Sequence, residues 1–219
     1  MTGTASAKSL LVAEIGGTHS RFALFSLDPA GGLHLMRKVR FSTKDSRDTA
    51  DMMRRLVETQ GDDGGYFTPF SPVPARVDTA VFAIPGPAAV ADLSIPAPED
   101  DVRPCPNMAW PVDAAAIAAR LKGAPVRLIN DFVANGFACA LLPGIIDAVP
   151  VLEGLPGPGF PRAVMGAGTG LGHCLILPGD PPLVVGSEAG HALFPSAGDA
   201  ELALARFLAV RTGTPPTAR

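Results

Sequence analysis

Asp131 closes the run Leu128-Ile129-Asn130-Asp131-Phe132, where an apolar strand pattern gives way to a helical one, so the spacing puts a carboxylate at the tip of a buried strand. Two glycine turns flank it in sequence. Ile15-Gly16-Gly17-Thr18 lies upstream and Gly166-Ala167-Gly168-Thr169-Gly170 downstream, each entered from one strand-like run and left into another. Consecutive amides in such turns can face an anion, and the missing Cβ of Gly16, Gly17, Gly168 and Gly170 lets a phosphate approach, with the Thr18 and Thr169 hydroxyls as further donors. One carboxylate between two phosphate-sized turns is a parts list for phosphoryl transfer. Plainer roles stand beside these: glycines in hairpins supply positive φ, and an Asp before a helix caps it. The cap and the base are compatible, because a capping position also presents its side chain at the carboxyl edge of a sheet, where open α/β folds bind ligands.

Glu188-Ala189-Gly190-His191 adds a carboxylate and an imidazole on a turn shortly after the second glycine cluster. Both side chains can hydrogen-bond a polyol. As a metal pair they have no third ligand close in sequence, and a purely structural His191 remains an alternative. Gly166-Ala167-Gly168 begins like a dinucleotide fingerprint, but Leu171 stands at its last position and a strand-like run follows; no GxxxxGK[ST] occurs.

The elements that must position these groups follow from periodicity. Residues 10–15, 21–27 and 33–41 read as an antiparallel meander, and 48–59 as a helix with Asp48 as cap and Met52, Met53, Leu56 and Val57 on one face. Residues 61–74 read as a loop, 76–84 as a strand ending at Pro85-Gly86-Pro87, and 95–106 as an irregular excursion. A helix over 113–122 capped by Asp113 leads into the Asp131 strand; strand, helix, strand implies parallel pairing. A helix over 132–142, a Gly/Pro-rich connection over 143–161, three short strands (163–166, 173–177, 183–185) and a helix over 200–212 complete the chain. Strand, Gly-Thr turn and strand recur in the two halves, which suggests two lobes. The expected division is an N-terminal α/β lobe at 1–130 with the first phosphate turn and a partial C-terminal α/β lobe at 131–219 with the second.

The chain has 219 residues, 47% hydrophobic and 18% charged, enough for a sizeable core. A net charge of -3 with scattered Lys and Arg leaves no electrostatic footprint for nucleic acid or an anionic membrane. The expected partners are therefore small molecules. Cys105, Cys139 and Cys174 are far apart and lack CxxC spacing, which argues against a disulfide framework or zinc knuckle. The residues before Glu14 are too short an apolar run for a signal sequence, so a cytoplasmic location is expected.

Taken in order, Glu14-Ile15-Gly16-Gly17-Thr18-His19, Leu128-Ile129-Asn130-Asp131-Phe132, Gly166-Ala167-Gly168-Thr169-Gly170-Leu171-Gly172 and Glu188-Ala189-Gly190-His191 resemble the motif series of bacterial glucokinases. The resemblance runs over almost the whole chain. It implies an α/β protein of the actin-like ATPase (ribonuclease H-like) fold with its second lobe incomplete, and ATP-dependent phosphorylation of the 6-hydroxyl of glucose or a related hexose. On that basis Asp131 is the general base, and Asn130, Glu188 and His191 bind sugar hydroxyls. Asn107, in a weaker Asn-x-x-Trp match that ends at Trp110, joins them. Gly16, Gly17, Thr18, Gly168, Thr169 and Gly170 contact phosphates, and Glu14 lies near Mg²⁺. A homodimer is a candidate assembly.

The departures are specific. Glu14 stands where the family usually has Asp, His19 where it has Asn, and Ala189 where it has Gly. Arg219 precedes the segment in which the family places another sugar-binding Glu and most of its adenosine pocket, so this chain alone is expected to be a poor kinase. A non-catalytic sugar-binding or regulatory derivative of the fold, and an acyl or phosphate-ester enzyme on it, are the alternatives. No Cys follows His191 to form the zinc cluster of related kinases and repressors.

Overall fold

Alternation along the first strand decides the layout of the first half of the chain. In β1 (Lys8–Ile15) Leu11, Ala13 and Ile15 are buried while Glu14 is exposed, so one face of the strand is apolar and must be covered. The computed structural model describes residues 8–58, 77–86, 90–91, 98, 100–106, 108–141, 149, 151, 159–168 and 170–217. β2 (His19–Leu27) and β3 (Leu33–Ser42) pair antiparallel as a meander, after which come α1 (Thr49–Glu58) and β4 (Thr79–Ile84). Two-residue strands follow: β5 (Val90–Ala91), β6 (Val102–Arg103) and β7 (Val112–Asp113). Then come α2 (Ala114–Arg120), β8 (Val126–Asn130), α3 (Asp131–Leu141), β9 (Arg162–Ala167), β10 (Leu171–Leu177), β11 (Leu183–Ser187) and α4 (Asp199–Thr212).

The chain forms two units, one of residues 1–86 and 93–131, the other of residues 87–92 and 132–219. In the first, a five-stranded sheet has the order β3-β2-β1-β4-β8, with β1, β4 and β8 parallel. Met52, Met53 and Leu56 of α1 and Ala114 and Ile117 of α2 join Leu11, Ile15, Phe22, Phe82 and Ile84 in one core. Phe22 stacks on Phe41 at 5.3 Å and meets Phe82 edge-on at 6.1 Å. Each such side chain contributes about 1.5–3 kcal/mol by leaving water. Both expected caps are present: Asp48 Oδ1 accepts from the Asp51 amide at 2.7 Å and Asp113 Oδ1 from the Ala116 amide at 3.1 Å.

In the second unit the sheet order is β5-β11-β10-β9. Its core is small, with Val133, Cys174, Ile176 and Val184 buried and Phe132, Phe137, Ala140 and Val164 packed on them. Gly136 lets α3 settle onto this sheet, since a Cβ there would stand 2.7 Å from Cys174 Sγ. No side chain of α4 is buried. Among the described residues no helix is long and apolar enough to cross a membrane.

Several expectations are corrected. Asp131 is the first residue of α3 rather than its cap, and Asn130 ends the strand. The excursion over 95–106 contains β6, which pairs with β7. β5, not anticipated, pairs antiparallel with β11. The loop at 61–74 and most of the 143–161 connection lie outside the described residues.

Candidate functional site

The parallel strands of the first unit end together at one edge, where Ile84 of β4 is in register with Asn130 of β8. Asn130 is buried, and its Nδ2 donates to the Gly86 carbonyl at 2.9 Å, tying the two strand exits. Gly86 has φ +137, and a Cβ there would press on the Pro104 carbonyl at 3.2 Å. Only glycine suits that position. Asp131 follows Asn130 directly, at the positive end of α3. Burial pushes the neighbouring Cys105 thiol up to about 11; the Val112 hydrogen bond and Arg103 oppose the rise and the Asp131 carboxylate adds to it. Asp131 and the Cys105 segment thus share this edge, and the thiol stays protonated at neutral pH. Further along, Trp110 Nε1 donates to the Ser46 carbonyl at 2.8 Å and Thr49 Oγ1 to the Pro111 carbonyl at 3.0 Å, fixing the segment against the start of α1.

The turn between β1 and β2 is held from a distance. Thr43 Oγ1 donates to the Gly16 carbonyl at 2.7 Å, and the Thr43 amide to the Thr18 carbonyl at 3.0 Å. Because the one Thr43 hydroxyl proton goes to Gly16, Ser20 Oγ is the donor in its 2.8 Å bond to Thr43 Oγ1. The Gly16 amide is spent on the His19 carbonyl at 2.9 Å, whereas the amides of Gly17 and Thr18 have no partner among the described residues. Neither Gly16 nor Gly17 has positive φ. The turn therefore does not need glycine for its backbone angles, and two unspent amides are what an anion would use.

Glu14 sits directly across from Arg21 in the β1–β2 register, and Arg21 NH1 reaches its carboxylate at 2.6 Å with both side chains about half exposed. Among the described residues no group of three or more His, Cys, Asp or Glu could hold a metal ion. One carboxylate is nonetheless compatible with Mg²⁺, which keeps much of its water shell and binds through one or two carboxylates plus phosphate oxygens.

In the second unit, Gly168 donates to the Gly170 carbonyl at 2.8 Å and nothing lies within 4 Å of where its Cβ would be. Thr169 lies outside the described residues, as does Asn107. The neighbouring glycines of the same motif do something else. Gly166 and Gly172 are paired across β9 and β10, and the Phe132 ring lies on both: a Cβ on Gly166 would come within 2.8 Å of Phe132 Cζ, and one on Gly172 would overlap the ring. Gly190 is likewise obliged, since a Cβ would collide with the Leu171 carbonyl. That contact docks the one-turn helix Ala189–His191 beside the strand leaving the second glycine turn. His191 Nε2 and Glu188 Oε2 stand 3.5 Å apart, each about half exposed. The residues overlooked in the sequence are Thr43 and Arg21. Only the strand register could have revealed Arg21, and nothing local marks Thr43.

Comparison with known proteins follows the same path. A family model described as Glucokinase matches residues 11–215. A glucokinase of Nostoc punctiforme is 30% identical over 200 residues, 91% of this chain and 52% of that protein. The crystal structure of a glucokinase from an Antarctic psychrotroph matches with TM-score 0.63 at 24% identity, covering 96% of this chain and 59% of that one. A glucokinase from Balamuthia mandrillaris, solved in complex with glucose, matches with TM-score 0.68 at 16% identity, covering 99% and 60%. These likenesses identify the actin-like ATPase fold. The chain spans about half the length of the curated relatives it matches.

Proposed function

The chain belongs to the glucokinase family, and from that premise we propose that it is a glucokinase-like sugar kinase, moving the γ-phosphoryl group of ATP to the 6-hydroxyl of glucose. The observation that carries this reading is that all four chemical motifs fall, in order, within the matched residues 11–215. Residues 1–130 carry the first phosphate turn and residues 131–219 the second turn with Glu188 and His191; the base, Asp131, begins α3 at the start of the second group.

Asp131 accepts the proton of the 6-hydroxyl as that oxygen attacks the γ-phosphorus and the bond from phosphorus to the ADP oxygen breaks. Asn130, Asn107, Glu188 and His191 hydrogen-bond sugar hydroxyls. The amides of Gly17, Thr18 and Gly170, with the Thr169 hydroxyl, donate to phosphate oxygens, where preorganised donors act on charge as it develops; Gly16 and Gly168, whose amides are spent inside their turns, contact the phosphates where their missing Cβ leaves room. Glu14 would hold Mg²⁺, an ion that when bound neutralises phosphate charge. A coupled assay with glucose and ATP tests the proposal: glucose-dependent ADP release supports it, and its absence with glucose binding intact sinks it. One observation favours the second reading, a non-catalytic glucose-binding derivative: the Glu14 carboxylate is already paired with Arg21 at 2.6 Å. Glucose binding without ATP consumption would select that derivative.

A further inference from the structure

Pro104-Cys105-Pro106 lies against the turn that leaves β4, and its middle residue carries a thiol for which the proposed reaction has no use. Proline on either side removes the amide donors at 104 and 106 and keeps Cys105 extended, so little of this segment's backbone can tie it down. The side chain takes over that task. Cys105 Sγ donates to the Arg103 carbonyl at 3.7 Å and accepts from the Val112 amide, which places the sulfur at the end of the short β6–β7 ladder where Arg103 faces Val112. A thiol can donate and accept at once, each weakly. Cys105 is 6% exposed and joins Trp110 and Val112 in the core of the first unit, and its carbonyl accepts from the Met108 amide at 3.2 Å. On the other side the segment faces Gly86, where a Cβ would stand 3.2 Å from the Pro104 carbonyl oxygen and 3.6 Å from Pro106 Cδ. The Gly86 carbonyl in turn accepts from Asn130 Nδ2 at 2.9 Å, one residue before Asp131.

We propose that Cys105 is a positioning residue for the sugar side of this edge: by pinning Pro104 and Pro106 to the β6–β7 ladder it fixes Gly86, and through the Gly86 carbonyl it orients the Asn130 carboxamide. Its work is done by the neutral thiol, as a donor and acceptor inside the core. The inference rests on the kinase reading for the assignment of Asn130 to a sugar hydroxyl, and it gives a role to a residue that none of the four motifs contains.

Two substitutions separate hydrogen bonding from bulk. Cys105→Ser keeps a donor and an acceptor, whereas Cys105→Val keeps apolar volume and has neither. Hydrogen exchange of the Asn130 side-chain amide, followed by NMR on the 219-residue chain, reports the bond to Gly86 without glucose or ATP. Cys105→Val should speed that exchange by about tenfold or more and Cys105→Ser by no more than about threefold. With glucose and ATP present, Cys105→Val should raise the KM for glucose by about fivefold or more, leave kcat within about twofold and leave the KM for ATP unchanged, and Cys105→Ser should restore most of the loss. A side chain that only filled space would give the opposite order, with Val the milder change. Melting curves check that both variants fold, and Cys105→Ala replaces Cys105→Val if the latter does not. Equal Asn130 exchange in wild type and both variants overturns the inference, and so does faster exchange with an unchanged glucose KM in an active kinase; both leave the kinase reading standing. Faster Asn130 exchange in the Val variant of a chain that neither binds nor phosphorylates glucose supports the tie from Cys105 to Asn130 and sinks the kinase reading instead.

Discussion

Asp131 sits where a strand hands over to a helix, and the proposed reaction makes two demands of its side chain: to stay in place when a sugar arrives, and to take a proton. Asp131→Asn keeps the size and most of the hydrogen bonding of that group while removing the proton acceptor. Turnover should therefore fall by roughly 10² to 10⁴ with glucose affinity nearly unchanged. Steady-state kinetics beside a calorimetric glucose titration measure the two separately, and wild-type turnover in the variant would leave Asp131 as a helix-start residue only. Glu14 poses the opposite question, because its partner is visible. An exposed ion pair such as Glu14–Arg21 is worth about 0–1 kcal/mol, so Mg²⁺ can displace the arginine at little cost. Glu14→Asp shortens the reach to Arg21 and should raise Mg²⁺ affinity or activity while shifting the melting temperature by no more than a degree or so. A titration of activity against Mg²⁺ with no change in midpoint or plateau would place Glu14 outside the metal's surroundings. Asn130, Asp131 and both turns could be found in the sequence because each interrupts an apolar run at its end. Thr43 could not, since its effect on Gly16 acts across 27 positions of chain.

Among elements, the helices and strands were legible in proportion to their periodicity. The alternation in β1 and the Met52, Met53 and Leu56 face of α1 predict the observed elements to within a residue or two, and the caps at Asp48 and Asp113 are where expected. β5 was not legible, because a two-residue strand has no period and exists only through β11. The glycines of β9 and β10 teach the same lesson from the other side: they resemble phosphate-motif glycines, yet Gly166 and Gly172 are empty so that Phe132 can lie flat. Gly172→Ala should thus destabilise the second unit by about 1–3 kcal/mol, the usual penalty of overpacking. In a Phe132→Ala background the same change should cost much less, and a thermal-melting double-mutant cycle returning additive values would show that the ring is not the obstacle. Asp51 of α1 makes a pH prediction. Hydrogen bonds from the Arg54 side chain, then the Arg47 amide, then Arg55 hold its carboxyl below the ordinary 3.8. A carboxylate depressed in the folded state contributes stability above pH 3.8, and that contribution is lost as pH falls below it. Asp51→Asn should lower the melting temperature by several degrees at pH 7 and by progressively less toward pH 2. A deficit that does not shrink in acid would contradict the arrangement.

For the whole molecule, the balance between buried and exposed apolar surface differs sharply between the two units. Among the described residues, the first has most of the buried side chains, while the second has four fully buried apolar residues and a long roster of exposed ones. On its sheet, Met165, Leu175 and Leu183 are exposed, opposite in strand alternation to the buried Cys174, Ile176 and Val184. On α4, Leu202, Leu204, Phe207 and Val210 are exposed and no residue is buried. A helix of 14 residues whose cover goes no further than half-burying Ala205, Leu208 and Ala209 leans on its own hydrogen bonds and on the Gly213 cap, where φ is 75. Isolated helices of about 12–15 residues are only marginally stable in water. Apolar area of this extent on a chain with a net charge of only -3 also meets little electrostatic repulsion between copies. The 219-residue chain should therefore associate reversibly, with α4 protected from hydrogen exchange at high concentration and nearly unprotected at low. Light scattering across a hundredfold dilution, paired with exchange of the α4 amides, reads both quantities. Leu204→Glu together with Phe207→Glu should shift the association to at least tenfold higher concentration without changing protection in β1, β4 or β8. A chain that stays monomeric throughout, with α4 fully protected, would mean that this helix is stable without covering its apolar side chains, and the argument from exposed surface would fail.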